Sequence, residues 1–229
     1  MIRWKLAALF CFLFFLHASA QEKDSLRLQF HLKFDKASIV PNQKYISKQN
    51  DTLQLETFRF YVTDIEIHYA DNSSIKTKGS HLVDIELPAS QKITLGLNQK
   101  KEIKFVNFSI GVDSLSNVSG ALSGDLDPAK GMYWAWQSGY INMKVEGKSM
   151  SCKTRKNQFQ FHIGGYLKPN NALRIVTLNA PKNSATIDVD VNAAAFFAEV
   201  PLSETNSIMI PGKRAMQLAD VAVKMFSLE

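Results

Sequence analysis

Four histidines lie beyond the apolar N-terminal segment of this sequence: His31, His68, His81 and His162. Imidazole is the protein side chain that most readily holds copper or zinc and moves protons near neutral pH. Strand-like alternation sorts the four. His31 shares its parity with Arg27 and Lys33, and His68 with Asp64 and Glu66, so both face solvent. His81 shares its parity with Val83, Ile85 and Leu87, which puts it inside an apolar layer or at its mouth. His162 points opposite to Phe159, Phe161 and Ile163, and the Gly164-Gly165 pair after it allows close approach by another backbone. Taken by itself, a buried histidine is more often a satisfied core residue than a ligand.

Both tryptophans beyond the N-terminal segment fall in one block, Met132-Tyr133-Trp134-Ala135-Trp136-Gln137-Ser138-Gly139-Tyr140. In an extended chain Trp134, Trp136 and Tyr140 share a face. Such rings ordinarily pack a core; a stacking platform for a glycan or small ligand is the other use. The stretch before them, residues 113–130, has no regular pattern and carries Asp113, Asn117, Asp125 and Asp127. Their oxygens are of the type that holds calcium, with Asp125 and Asp127 as the candidates, although the spacing matches no calcium motif and a polar loop accounts for it equally.

Enzyme signatures are missing. The sequence has no Gly-rich phosphate loop, no G-x-S-x-G elbow, no H-E-x-x-H and no C-x-x-C pair. A non-enzymatic protein is expected.

The elements that must position these residues are strands. Leu26, Leu28, Phe30, Leu32 and Phe34 alternate with Arg27, Gln29, His31 and Lys33, as in a half-buried strand. Similar runs occupy 58–69, 81–87, 92–97, 103–112, 136–146, 158–166, 173–178 and 185–191. Turn-type clusters such as Asp71-Asn72-Ser73-Ser74 and Lys168-Pro169-Asn170-Asn171 separate them. About nine short strands predict an all-β fold, an antiparallel β-sandwich. Residues 192–199 (NAAAFFAE) read as one or two helical turns. Met216, Ala219, Val223 and Phe226 recur at helical spacing, which predicts a short C-terminal helix over 213–227.

The N-terminus reads as a cleaved export signal. Arg3 and Lys5 precede an apolar run from Leu6 to Leu16, and Ala18-Ser19-Ala20 supplies a small-x-small cleavage site. The run is shorter than the roughly 20 residues a spanning helix needs. The expected mature chain is a single domain, residues 21–229, soluble and periplasmic or secreted. Losing Arg3 and Lys5 takes the 27 basic residues to 25 against 21 acidic, so the formal balance drops from +6 to +4. The basic residues are scattered rather than gathered into an aromatic-studded stripe, which argues against nucleic-acid binding. Cys11 leaves with the signal, so Cys152 has no partner within the chain.

Six segments occur in an order that resembles the MbnP-like copper-binding domain family. They are Tyr61-Val62-Thr63-Asp64-Ile65, Ser80-His81-Leu82-Val83-Asp84, Gly111-Val112-Asp113-Ser114-Leu115, Gly124-Asp125-Leu126-Asp127-Pro128, the Gly131–Tyr140 block, and Phe161-His162-Ile163-Gly164-Gly165. The G-M-x-W-x-W-x-S-G-Y block is the most specific. The resemblance implies an exported, β-rich protein that binds copper. It also implies a partner, a periplasmic di-haem protein of the cytochrome c peroxidase type, that opens one indole to kynurenine. An indole nitrogen ligates poorly, whereas ring opening exposes an aniline-type amine. By position, the resemblance makes His81 and His162 the metal ligands and Trp134 or Trp136 the modified residue. Two imidazoles would then converge at one end of the sandwich, with a tryptophan nearby.

Overall fold

The computed structural model describes residues 25–97, 101–180 and 184–229. The expected export signal, with Cys11, lies outside the described residues. Among the described residues, nine principal strands and six short ones follow in chain order. The first six are β1 (Ser25–Phe34), β2 (Ala37–Ser38), β3 (Lys44–Ile46), β4 (Thr52–Tyr69), β5 (Ser74–Lys76) and β6 (Ser80–Asp84). Then come β7 (Lys92–Gly96), β8 (Ile103–Ile110), β9 (Tyr133–Trp134), β10 (Gly139–Ser149) and β11 (Gln158–Gly164). The last four are β12 (Arg174–Asn179), β13 (Thr186–Asn192), β14 (Ser207–Ile208) and β15 (Phe226–Leu228).

Two sheets form. The smaller runs β15-β13-β1-β2, with β7 also on β1; the larger runs β12-β8-β4-β10-β11-β14, with β3, β5 and β6 on β4. Their facing sides make the core. Phe30 of β1 meets Phe60 of β4 and Phe108 of β8 edge-on, at centroid distances of 6.0 and 5.8 Å. The run 26–34 buries its apolar half as the alternation indicates, whereas Leu87, Trp136 and Ile175 of other runs are exposed and the buried parity of β4 switches between Val62 and Ile65.

The sandwich is mixed rather than purely antiparallel. β1 pairs parallel to β13, in the register Leu28↔Ile187 and Phe30↔Val189, and β11 pairs parallel to β14. Period-two alternation identifies the buried face of a strand but carries no information about the direction of its neighbour. Here all of the larger sheet except β14 intervenes between β1 and β13, a connection long enough to bring the chain back in the same direction.

Among the described residues three α-helices complete the fold: α1 (Ser114–Val118), α2 (Ala193–Glu199) and α3 (Lys213–Ala222). Asn192 caps α2 by accepting from the Ala194 amide at 3.1 Å, and Phe196 and Phe197 sink into the core. α3 is shorter than the spacing predicts. A 3-10 turn ends it, and residues 226–228 form β15 on β13, because Phe226 packs between Phe60 and Phe108. No helix among the described residues is long and apolar enough to cross a membrane.

Candidate metal site beside the tryptophan hairpin

The irregular stretch 113–132 folds back over the outer face of the larger sheet. A second apolar cluster lies beneath it: Tyr61, Leu82, Val112, Leu126, Met132, Trp134, Tyr140 and Ile141. The loop's polar residues hold it there. Asp113 caps α1 by accepting from the Leu115 and Ser116 amides. Buried Asn117 donates to the Val112 and Asp113 carbonyls, both at 2.9 Å, and accepts from the Tyr140 amide at 2.7 Å. Arg59 and Lys144, on the sheet below, donate to the Lys130 and Gly131 carbonyls at 3.1 and 3.3 Å.

These bonds correct the calcium expectation. One carboxylate oxygen of Asp125 accepts from the Leu82 amide at 3.0 Å and the other pairs with Lys130 at 2.5 Å. Asp127 accepts from the Ala129 amide at 2.8 Å. Both side chains serve as anchors of the loop and do not converge on a common point.

The stacking-platform expectation also fails. The chain turns back between β9 and β10, pairing Trp134 with Gly139, so Trp134, Trp136 and Tyr140 do not share an extended face. Trp134 and Tyr140 are 6% and 1% exposed, and only Trp136, at 64%, meets solvent. The indoles of Trp134 and Trp136 lie 6.0 Å apart, centroid to centroid.

Trp134 rests on the backbone of β11. A Cβ on Gly164 would sit 2.8 Å from both Cη2 and Cζ3 of the indole. The close approach predicted from the glycine pair is therefore made by a ring at Gly164 and, at Gly165 (φ +123°), by the Asn170 carbonyl. His162 and Gly164, two residues apart, face the same side of the sheet. That side is the one Trp134 covers at Gly164, two residues along β11 from His162. His162 is buried, and its Nε2 lies 2.7 Å from Oε1 of Glu146 on β10. The hydrogen bond from His162 draws the Glu146 carboxyl down to about 2, with help from Lys144 and Gln160. With Nε2 taken up by the carboxylate, Nδ1 is the ring nitrogen that remains for a metal. That carboxylate–imidazole arrangement is the one that typically orients a metal-ligating histidine.

His81 is elsewhere. It pairs with Val62 and Val83 pairs with Phe60, so His81 belongs to the core-facing side, half-buried at the end of β6. Burial pushes its pKa down, partly opposed by Asp125. His162 lies opposite Lys144, Lys144 opposite Arg59, and Arg59 opposite Asp84. This row crosses three strand spacings, about 14 Å, and His81 is a further three residues, about 10 Å, along β6. The two histidines are therefore far apart and on opposite faces of one sheet. The shared two-imidazole site expected from the sequence is not assembled.

His68 stacks on Phe105 at 4.2 Å and lies 3.3 Å from the Asn107 amide. His31 lies on the smaller sheet. Sequence reasoning passed over Glu146. The signal was available in Met143-Lys144-Val145-Glu146, where alternation sends Lys144 and Glu146 to the same side.

A model of the MbnP family matches residues 23–210. The chain belongs to the MbnP family. The structure of MbnP from Methylosinus trichosporium superposes with a TM-score of 0.58 at 16% sequence identity, covering 78% of this chain and 79% of that one. At that identity the likeness concerns the fold. Comparison with curated proteins finds no significant match. The match to the MbnP family spans both sheets, the loop over the outer face and the Trp134–Trp136 hairpin.

Proposed function

We propose that this MbnP-family chain is a non-enzymatic copper-binding protein, exported to the periplasm, whose metal site is built on His162. The observation that carries the reading is a carboxylate-held imidazole on the strand that Trp134 covers, two residues from the glycine under the indole. The Glu146–His162 bond at 2.7 Å holds the ring by Nε2, and the indole lies over Gly164, two residues along the same strand. Imidazole nitrogen suits copper. An intact indole adds nothing to a ligand set, since its nitrogen only donates. Opened to kynurenine by a di-haem peroxidase-type partner, Trp134 would supply an aniline-type nitrogen on the side of β11 that carries His162. The copper-binding reading comes with family membership; the choice of His162 over His81 rests on the geometry.

The test is the copper content of the mature chain, residues 21–229, produced with and without a di-haem partner and washed with a mild chelator. The reading predicts copper in the protein made with the partner, with a mass change on the peptide carrying Trp134. Copper-free protein under both conditions would refute it.

A further inference from the structure

The outer face of the smaller sheet gathers a second set of potential metal ligands, unrelated to the tryptophan hairpin. His31 of β1 and Asp188 of β13 lie side by side through the parallel register that pairs Gln29 with Asp188 and His31 with Asp190. Glu229 follows β15, and its amide donates to the Asp188 carbonyl at 3.2 Å, which sets it beside the same pair. His31 Nε2 is 2.8 Å from Asp188 Oδ1 and 3.8 Å from Glu229 Oε2. One ligand atom from each of the three falls within 4.8 Å of the other two. Ligands about 2.0–2.2 Å from a zinc ion stand about 3 to 3.5 Å from one another, so the spacing needs little adjustment.

Lys33 supports the arrangement. Its ammonium lies 2.8 Å from Glu229 Oε1 and 2.6 Å from Asp190 Oδ1. It holds the far oxygen of Glu229 and leaves Oε2 turned toward His31. Ligating carboxylates are commonly held in this way by a hydrogen bond to the oxygen that does not bind metal.

We propose that His31, Asp188 and Glu229 form a site for a borderline divalent cation, with Zn²⁺ as its best match. The donor set decides the class. One imidazole with two carboxylates is too nitrogenous for Ca²⁺ or Mg²⁺, which take oxygen, and lacks the thiolate or thioether that Cu(I) favours. Three protein ligands leave a coordination position open to water or to an anionic group on a partner. The side chains are 34%, 44% and 55% exposed, so a cation reaches them from solvent.

The experiment is a Zn²⁺ titration of chelator-stripped mature protein, followed by calorimetry and by the histidine ring resonances. One equivalent should bind and shift the His31 ring signals. His31→Ala and Asp188→Asn should each weaken zinc at least tenfold, whereas His68→Ala should leave zinc binding unchanged. Because the ligands are surface side chains, the variants should keep the wild-type circular dichroism. Zinc affinity unaltered by His31→Ala, or His31 resonances unmoved at saturation, would show an ion-pair cluster only and overturn the proposal. Copper binding lost in His162→Ala but kept in His31→Ala would keep this site separate from the copper reading whichever way zinc behaves.

Discussion

Replacing Gly164 by alanine would drive a methyl group into the underside of Trp134. The new carbon would meet Cη2 and Cζ3 of the indole at 2.8 Å and the Tyr140 carbonyl oxygen at 2.9 Å. The carbonyl belongs to β10 and cannot move without disturbing the sheet. The indole is 6% exposed and closed in by the loop above, so it has little room to retreat. Overpacking of this kind costs about 1–3 kcal/mol. For a chain of this size that lowers the melting temperature by about 2–4 °C per kcal/mol. Gly96 is the control: nothing lies within 4 Å of its Cβ position, so Gly96→Ala should be neutral or stabilise by up to about 1 kcal/mol. Urea unfolding followed by tryptophan fluorescence measures both variants, and the two tryptophans of the mature chain are those of the hairpin. The Gly164 variant should unfold earlier, with an altered native emission. Stability and emission equal to wild type would refute the packing of Trp134 on β11.

Glu146→Gln should weaken copper by about 10- to 100-fold, the usual cost of removing a carboxylate that orients a metal-bound histidine. The same variant has a pH signature, because the Glu146 carboxyl titrates near 2 in the fold against an ordinary value of 4.5. A depressed carboxyl stabilises above its unfolded pKa and loses that contribution as pH falls through the folded one. The wild-type advantage over Glu146→Gln, on the order of 2 kcal/mol at pH 6, should therefore shrink between about pH 5 and pH 2 in urea titrations. Asn117→Ala strands the Val112 carbonyl and the Tyr140 amide, while the Asp113 carbonyl still accepts from the backbone amide of residue 117; with partial rescue by water, a loss of about 2–4 kcal/mol in chemical denaturation is expected. Cys152 is buried and its thiol is pushed up to about 11, chiefly by desolvation. A thiol reagent at pH 8 should leave the native mature chain unlabelled and add one equivalent in denaturant.

What could be read from the sequence divides along physical lines. Alternation placed Phe30, Phe60 and Phe161 in the core and set His162 on the side away from it, because a half-buried strand writes its faces into consecutive residues. The same rule set His81 on the apolar side. Two strands of one sheet carrying histidines of opposite parity cannot bring them together, yet the sequence does not say that β6 and β11 belong to one sheet. That is a matter of long-range pairing, as is the parallel neighbour of β1. The hairpin between Trp134 and Gly139 escaped notice because Ala135-Trp136-Gln137-Ser138 lacks the usual Asn-Gly or Asp-Gly turn signal. Ser138 takes a positive φ of 52° without it. The loop over the outer face was visible only as a stretch without periodicity. Its Asp and Asn residues announced hydrogen bonding but not whether to a metal or, as found, to backbone amides. Glu146 was hidden for a different reason: a single carboxylate in a strand has significance only through the residue opposite or diagonal to it.

The most direct measurement for the central claim is copper affinity by competition with a chelator of known strength, on wild-type chain, His162→Ala and His81→Ala, each produced with a di-haem peroxidase-type protein, the proposed partner. One tightly held copper in wild type, lost in His162→Ala and retained in His81→Ala, is the predicted result. Copper retained in His162→Ala, or lost when only His81 is replaced, would contradict the account.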